Sequence, residues 1–231
     1  MALEETKRLD NISINKNPSS WDTINNQNIK VMTLNCAGLT AHMEDIKTDN
    51  KIMQADMIQL IETSLNVDEA NPLMISGYEV HDFSIGNGMG ISTYYKGSRF
   101  KYESSYVTSE MQVVKFTSEE LQVITVYRSS RGSLQILNNN LNEMVSNTGQ
   151  AVLITGDFNL CIMMNKTNII SKNLENLGFQ QLMKEATQIK GGHIDHVYWR
   201  NGLNNWMDPI LLRYSPYYTD HDASLVTIIG E

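Results

Sequence analysis

Ala151-Val152-Leu153-Ile154-Thr155-Gly156-Asp157-Phe158-Asn159 opens on four apolar residues and ends in an acid and an amide. A short apolar run rich in β-branched residues and closed by a glycine reads as a buried strand. Asp157 then falls where that strand must leave its sheet. Upstream, Val113–Thr117 and Leu121–Tyr127 flank Ser118-Glu119-Glu120 as a hairpin. Between that hairpin and the buried strand, Ser133–Asn147 places Leu134, Ile136, Leu137, Leu141, Met144 and Val145 at helical spacing. Downstream, Ser171–Glu185 is expected as a helix, His193–Trp199 as a strand, 206–212 in part as a strand, and Ala223–Ile229 as the last strand.

The N-terminal half repeats the alternation of strand and helix. Ile29–Asn35 alternates in strand fashion and runs into the loop Cys36-Ala37-Gly38. His42–Met53 reads as a helix, and Ala55–Glu62 as a second strand ending on an acid. Gly77–Asp82 is a short strand, followed by the turn Gly86-Asn87-Gly88-Met89-Gly90 and the strand Ile91–Lys96. That glycine turn enters a strand and not a helix, so it is no nucleotide-binding fingerprint. No internal repeat or long linker interrupts the pattern. These elements predict one α/β domain over residues 28–231: a two-sheet β-sandwich core, largely antiparallel, flanked by helices. Residues 1–27, rich in Asn, Ser and Asp without a clear period, are expected to form a flexible N-terminal arm.

Length and charge set outer bounds. A chain of 231 residues suits one large domain, and no apolar run is long enough to cross a bilayer. The first residues are polar and carry no secretory pattern, so an intracellular, nuclear or cytoplasmic, protein is expected. Only Cys36 and Cys161 occur, and with no cysteine framework both are expected to be reduced. A net charge of −8 speaks against tight, nonspecific duplex binding, although 18 Lys and Arg remain to form a local patch.

The informative polar residues sit at strand ends. Asn35, Glu62, Tyr127, Asp157 with Asn159, Asp195, and Asp220-His221 each end or follow a hydrophobic strand. Strands collect such side chains on one rim, where ligand clefts form. Carboxylates gathered there repel one another and raise each other's pKa. A hard divalent cation relieves that conflict, and oxygen ligands favour Mg²⁺, Mn²⁺ or Ca²⁺ over zinc. Taken singly, each residue has a plainer explanation. Glu62 is an ordinary solvated strand end, Asn35 and Asn159 are ordinary turn or cap residues, and Tyr127 is an ordinary core tyrosine. His193 and His196 resemble an HxxH pair, but in a strand that spacing puts them on opposite faces.

Order carries more than any single residue. Leu34-Asn35, Ile61-Glu62-Thr63, Val126-Tyr127-Arg128, Gly156-Asp157-Phe158-Asn159, Ile194-Asp195-His196 and Thr219-Asp220-His221 follow one another. In that order the chain resembles the endonuclease/exonuclease/phosphatase superfamily, the deoxyribonuclease I-like proteins, over about residues 28–229. Tyr127-Arg128 and Gly191–Tyr198 look most like the endonuclease domains of non-LTR retrotransposons and related mobile elements.

The resemblance implies a four-layer fold and a Mg²⁺-dependent phosphodiesterase, with Mn²⁺ an alternative. It implies DNA as substrate before RNA, and a monomer. It implies Glu62, Asn35 and Asp220 as metal ligands. Asp157 would orient or deprotonate water, Asn159 hold a phosphate oxygen, and His221 stabilise charge with Asp195 behind it. Tyr127 would contact the scissile phosphate and Arg128 the substrate backbone. Two departures weaken an abasic-repair reading: Ala37 stands where those enzymes carry an acid, and Arg128-Ser129-Ser130 where they carry an asparagine. A phosphatase or lipid phosphodiesterase on the same scaffold, or an RNA nuclease of deadenylase type, remains the alternative.

Overall fold

The computed structural model describes residue 21 and residues 28–65, 73–83, 89–145, 149–162, 168–203 and 209–229. Along the chain the first sheet collects β1 (Ile29–Asn35), β2 (Met57–Ile61), β3 (Glu79–Asp82), β4 (Ile91–Tyr95), β11 (Ile210–Tyr214) and β12 (Ala223–Ile228). The second collects β5 (Lys101–Val107), β6 (Met111–Thr117), β7 (Leu121–Arg128), β8 (Ala151–Asp157), β9 (Gln180–Gln181) and β10 (Asp195–Arg200). Helix α1 (Leu39–Thr48) follows β1, α2 (Leu134–Met144) follows β7, and α3 (Ile169–Asn176) follows β8.

Strand order is β11-β12-β1-β2-β4-β3 in one sheet and β5-β6-β7-β8-β10-β9 in the other. The parallel pairs β1/β2 and β7/β8 lie at the centres, each joined by a helical crossover, and the other pairings are antiparallel. Those crossovers force burial on both strand faces, which is why the central strands read as nearly continuous apolar runs. On β1, Val31 faces the inter-sheet core beside Met57, Val123 and Leu153. Its neighbours Met32 and Leu34 face outward under Leu39, Met43 and Ile46 of α1. Leu137 and Leu141 of α2, with Ile170 and Leu174 of α3, cover the outer face of the second sheet. Helix, sheet, sheet and helices thus form four layers around three apolar cores, as expected.

Several boundaries move. The helix expected over Ser171–Glu185 is instead α3, which starts earlier and stops at Asn176. Gly178 adopts φ +83°, and Gly178 N–H and Phe179 N–H donate to Glu175 and Leu174 carbonyls, closing the helix in the left-handed manner glycine permits. The chain then enters β9, so Leu182 and Met183 pack between the sheets and not on a helix. The helix expected over His42–Met53 is α1 plus a 3-10 turn, Ile52–Gln54. Asp49 separates the two, its Oδ1 accepting from Lys51 N–H at 2.9 Å and Ile52 N–H at 3.3 Å. Ser133 caps α2 through its Oγ, which accepts from Ile136 N–H at 3.4 Å.

Strand β5 was not foreseen, because its sequence is polar and mostly exposed; it is an edge strand interrupted by a bulge between Tyr102 and Ser104. Of the expected arm, the structure describes Trp21, which is buried and donates from Nε1 to Lys51 O at 2.8 Å; the rest of the arm lies outside the described residues. Residues 86–88 of the glycine turn and 206–208 of the partial strand also lie outside them. Neither cysteine is joined in a disulfide, and Cys36 is buried. Among the described residues no helix is long and apolar enough to cross a membrane.

Candidate active site

Strand register delivers the site. Tyr127 pairs with Asp157, and Asp157 with Asp195, so three neighbouring strands present a phenol and two carboxylates side by side. Across the sandwich, β1 ends at Asn35, whose Nδ2 donates to Asp157 Oδ2 at 3.0 Å. This bond joins residues from opposite sheets, both buried. Asp157 Oδ1 accepts from Asn159 N–H at 2.8 Å, an arrangement helped by the left-handed turn at Asn159, φ +46°. Gly156 makes this strand end possible. Its φ is +141°, and a Cβ there would lie 2.0 Å from the Val126 carbonyl oxygen of β7.

His221 comes from the loop before β12. Its Nδ1 lies 3.0 Å from Asp195 Oδ2 and 3.3 Å from Oδ1. Burial pulls the imidazole pKa down, but the hydrogen bond to Asp195 and the charges of Asp195, Asp157 and Asp220 outweigh it and raise it to about 9. Asp157 moves the other way for a carboxylate. Burial and the neighbouring Asp195 raise its pKa to about 7, against the opposing pull of Asn159 N–H, His221 and Asn35. An acid and a base with displaced titration, hydrogen-bonded into one cluster, are the mark of acid–base machinery. The two titrate as a coupled set.

Glu62 follows β2 in a left-handed conformation, φ +56°, and is partly exposed. Its carboxylate meets Tyr127, whose hydroxyl pKa is raised by burial, by that carboxylate and by Asp157. The phenol is therefore protonated at neutral pH and acts as a hydrogen-bond donor. Asp220 is half-exposed, with Oδ1 3.9 Å from His221 Nε2. Thr219 Oγ1 donates to Asn35 O at 2.9 Å, locking the His221 loop to the end of β1.

The structure thus brings together Asn35, Glu62, Tyr127, Asp157, Asp195, Asp220 and His221. Arg128 sits differently from the expected substrate contact. It is buried, and its guanidinium donates at 2.7 Å to three backbone carbonyls, Phe158 from Nε, Gly132 from one terminal nitrogen and Asn159 from the other, and at 3.5 Å to a fourth, Ser130. Asn159 is also engaged, with Nδ2 donating to Arg128 O at 2.9 Å. Arg128 and Asn159 therefore brace the loop that carries Asp157. His193 lies before β10 rather than in it, so its ring meets His196 at a 5.6 Å centroid distance instead of facing away. His196 is spent on structure: Nε2 meets Leu160 O at 2.8 Å, the ring stacks on Phe158, and burial pushes its pKa down to about 3.

Two residues were not foreseen. Thr187 Oγ1 accepts from Asp195 N–H at 3.1 Å, and Gln188, in an isolated bridge with His221, approaches His221 Nε2 and Asp220 Oδ2 at 3.4 Å each. No local pattern marks them, because a one-residue bridge has no periodicity.

For a metal, the donor set is informative. Among the described residues, Asp157, Asp195 and His221 offer ligand atoms within 4.8 Å of one another. The resemblance points instead to Glu62, Asn35 and Asp220. The Asp195–His221 bond occupies the first group internally, whereas Asn35 Oδ1, accepting only Ala37 N–H at 3.1 Å among its described bonds, retains a lone pair beside the Glu62 carboxylate's strand. Buried carboxylates and an amide oxygen on one rim suit a hard divalent cation, which would offset the repulsion that raises Asp157.

A family model described as the Endonuclease/Exonuclease/phosphatase family matches residues 32–221. No curated protein sequence matches significantly. Among solved structures, TDP2 from C. elegans superposes with a TM-score of 0.65 at 14% identity, covering 88% of this chain and 75% of that one. The 3′ phosphatase NExo from Neisseria, bound to a product DNA hairpin, gives 0.63 at 16% identity, covering 88% of this chain and 99% of that one. The endonuclease domain of TRAS1, a telomere-specific non-LTR retrotransposon, gives 0.62 at 11% identity, covering 88% and 99%.

Proposed function

The chain belongs to the endonuclease/exonuclease/phosphatase family and is a metal-dependent phosphodiesterase of it, and we propose that its substrate is DNA, nicked to leave 5′-phosphate and 3′-hydroxyl ends. The observation that carries this reading is the buried cluster in which Asn35 and Asn159 orient Asp157 while Asp195 orients His221. The mobile-element type of endonuclease is the finer form of the proposal, supported by the similarity to the TRAS1 domain. DNA is favoured by the product hairpin held by the Neisseria relative and the single-strand DNA product held by D. rerio TDP2. We propose that the enzyme works inside the cell, where cysteines persist outside disulfides.

Each residue then has a task. Asp157, with both oxygens held in place, takes a proton from the attacking water; a carboxylate whose pKa is raised is the stronger base. His221 is positively charged at neutral pH, and with Nδ1 held by Asp195 it presents Nε2 to the phosphoryl oxygens as charge develops. Tyr127 donates its phenolic proton to the same group. Glu62, Asn35 and Asp220 would hold Mg²⁺ or Mn²⁺, which supplies charge neutralisation on the phosphate and the leaving oxygen. Arg128 holds the Asp157 loop from beneath.

The test is nicking of supercoiled plasmid with Mg²⁺, with and without EDTA, by the wild type, Glu62→Ala and His221→Ala. Nicking that needs metal and is lost in both variants is expected. A folded protein that leaves plasmid intact but hydrolyses a phosphoinositide or phospholipid head group would move the substrate to small phosphoesters, a reading the net charge of −8 favours.

A further inference from the structure

Directly beneath the catalytic side chains lies a second polar row, deeper between the sheets. Residues two apart on a strand share a face. Thr33 therefore lies under Asn35, Gln59 under Ile61, and Thr93 under Ile91. In the other sheet Thr125 lies under Tyr127 and Thr155 under Asp157. Register aligns them: Gln59 opposes both Thr33 and Thr93, Ser224 opposes Thr33, and Thr125 opposes Thr155. All six are buried. One step deeper, Val31, Met57, Val226, Val123 and Leu153 pack in one apolar core with the ring of Tyr95, whose hydroxyl reaches out to Glu79. The threonines, glutamine and serine of this row are thus confined to the layer that supports the site.

The row is bonded across the sandwich. Thr155 Oγ1 on β8 donates to Thr33 Oγ1 on β1 at 3.2 Å. Thr33 Oγ1 donates in turn to Gln59 Oε1 at 2.8 Å, and Gln59 Nε2 to Met57 Sδ at 3.4 Å. Two residues further along the same strands, Asn35 Nδ2 donates to Asp157 Oδ2. Two inter-sheet hydrogen bonds therefore stand one above the other at the crossing of β1 and β8, and the upper one holds the catalytic carboxylate.

Stability does not require the lower bond. Valine has the shape of threonine without the hydroxyl, and removing a buried polar pair in favour of apolar atoms is nearly neutral or stabilising. Apolar contact is also non-directional, so it sets the spacing of two sheets less sharply than a hydrogen bond of defined length and angle. We propose that Thr33 and Thr155 are positioning residues: their hydrogen bond sets the separation of β1 and β8 and thereby the Asn35–Asp157 contact during hydrolysis. This inference rests on the reading of Asp157 as the group that acts on water.

Thr155→Val is the cleanest perturbation, because Thr33 keeps Gln59 as its acceptor. The expected result is a modest loss of denaturant stability, since Thr33 Oγ1 loses a donor but keeps Gln59, with KM within about twofold and kcat lowered between about 10- and 100-fold, the scale of a small misplacement. Thr155→Ser, which restores the hydroxyl, should recover most of the loss. A Thr33→Val, Thr155→Val double variant should lose no more kcat than Thr33→Val alone, since Thr33→Val already removes the bond that Thr155→Val breaks. Wild-type kcat in Thr155→Val, a kcat loss that only follows a loss of stability, or failure of serine to rescue each overturns the proposal. Wild type and Asp157→Ala run alongside. If the wild type is inactive on every phosphodiester tried, or Asp157→Ala is fully active, the functional reading falls and takes this inference with it. With an active wild type and an inactive Asp157→Ala, a normal Thr155→Val removes this inference alone.

Discussion

Replacing Arg128 by alanine separates a brace from a substrate contact. In the structure this guanidinium donates at 2.7 Å to the carbonyls of Phe158, Gly132 and Asn159, and more weakly, at 3.5 Å, to that of Ser130. The bonds to Phe158 and Gly132 are fully buried, and the bond to Asn159 is reached by solvent. Arg128→Ala leaves the two buried carbonyls without a donor, at about 1–3 kcal/mol each. Water re-satisfies most of the third. The expected loss is therefore roughly 2–6 kcal/mol, a large share of the ~5–15 kcal/mol that holds a typical domain together. In a chain of this size each kcal/mol lowers Tm by about 2–4 °C, so the melting point should fall by on the order of 5–20 °C. Lysine cannot reproduce the fork, and Arg128→Lys should recover at most one of the bonds. The assay is denaturant unfolding of both variants, paired with DNA-binding affinity measured across a salt series. A phosphate contact predicts the opposite pattern: stability within about 0.5 kcal/mol of wild type and a salt dependence reduced by about one phosphate. That outcome would refute the brace.

Gly156→Ala should destabilise by roughly 2–6 kcal/mol, combining a strained backbone at φ +141° with a methyl 2.0 Å from Val126 O, as read by thermal unfolding. Asp157→Ala and His221→Ala should each lower turnover by roughly 10²–10⁴-fold in steady-state kinetics, and activity within about twofold of wild type would remove that residue from the mechanism. The metal-free protein should be more stable at mildly acidic than at alkaline pH. A histidine raised to about 9 stabilises fully below its ordinary value near 6.5 and loses that contribution as pH rises through 9. A carboxylate raised to about 7 likewise favours the folded state more as it becomes protonated below 7. Melting scans in EDTA from pH 5 to about 9.5 test this, and His221→Asn should flatten the alkaline part.

Much of this architecture was legible locally. The buried strand ending in Gly156-Asp157 announces itself by composition, and so do β1, β2 and the β6–β7 hairpin, because their side-chain periods are short-range properties. The ordered strand ends singled out Asn35, Glu62, Tyr127, Asp157, Asp195 and His221 as candidates, and the structure gathers them on one rim, since a strand terminus exposes whatever residue occupies it. Where the prediction slipped, the cause was a partner distant in sequence. Leu182 and Met183 continue a helical spacing on paper, but Gly178 ends the helix and β10 offers them a strand edge instead. Strand β5 is too polar to declare itself, and pairing with β6 alone makes it a strand.

Arg128 and the Thr33–Thr155 pair show the limit most clearly. An arginine after a motif tyrosine has the same local signature whether it grips a phosphate or a set of backbone carbonyls. Its role depends on where the 128–132 turn and the Phe158 loop meet, which is a matter of tertiary geometry. Likewise a threonine in a strand reads as an ordinary β-former. That Thr33 and Thr155, 122 residues apart, share a hydrogen bond follows only from the crossing of β1 and β8. Periodicity along the chain therefore determines the elements and the residues at their ends, because it depends on neighbours a few positions away. Which of those residues touch, and which are spent on holding others in place, is decided by packing between strands that no local pattern relates.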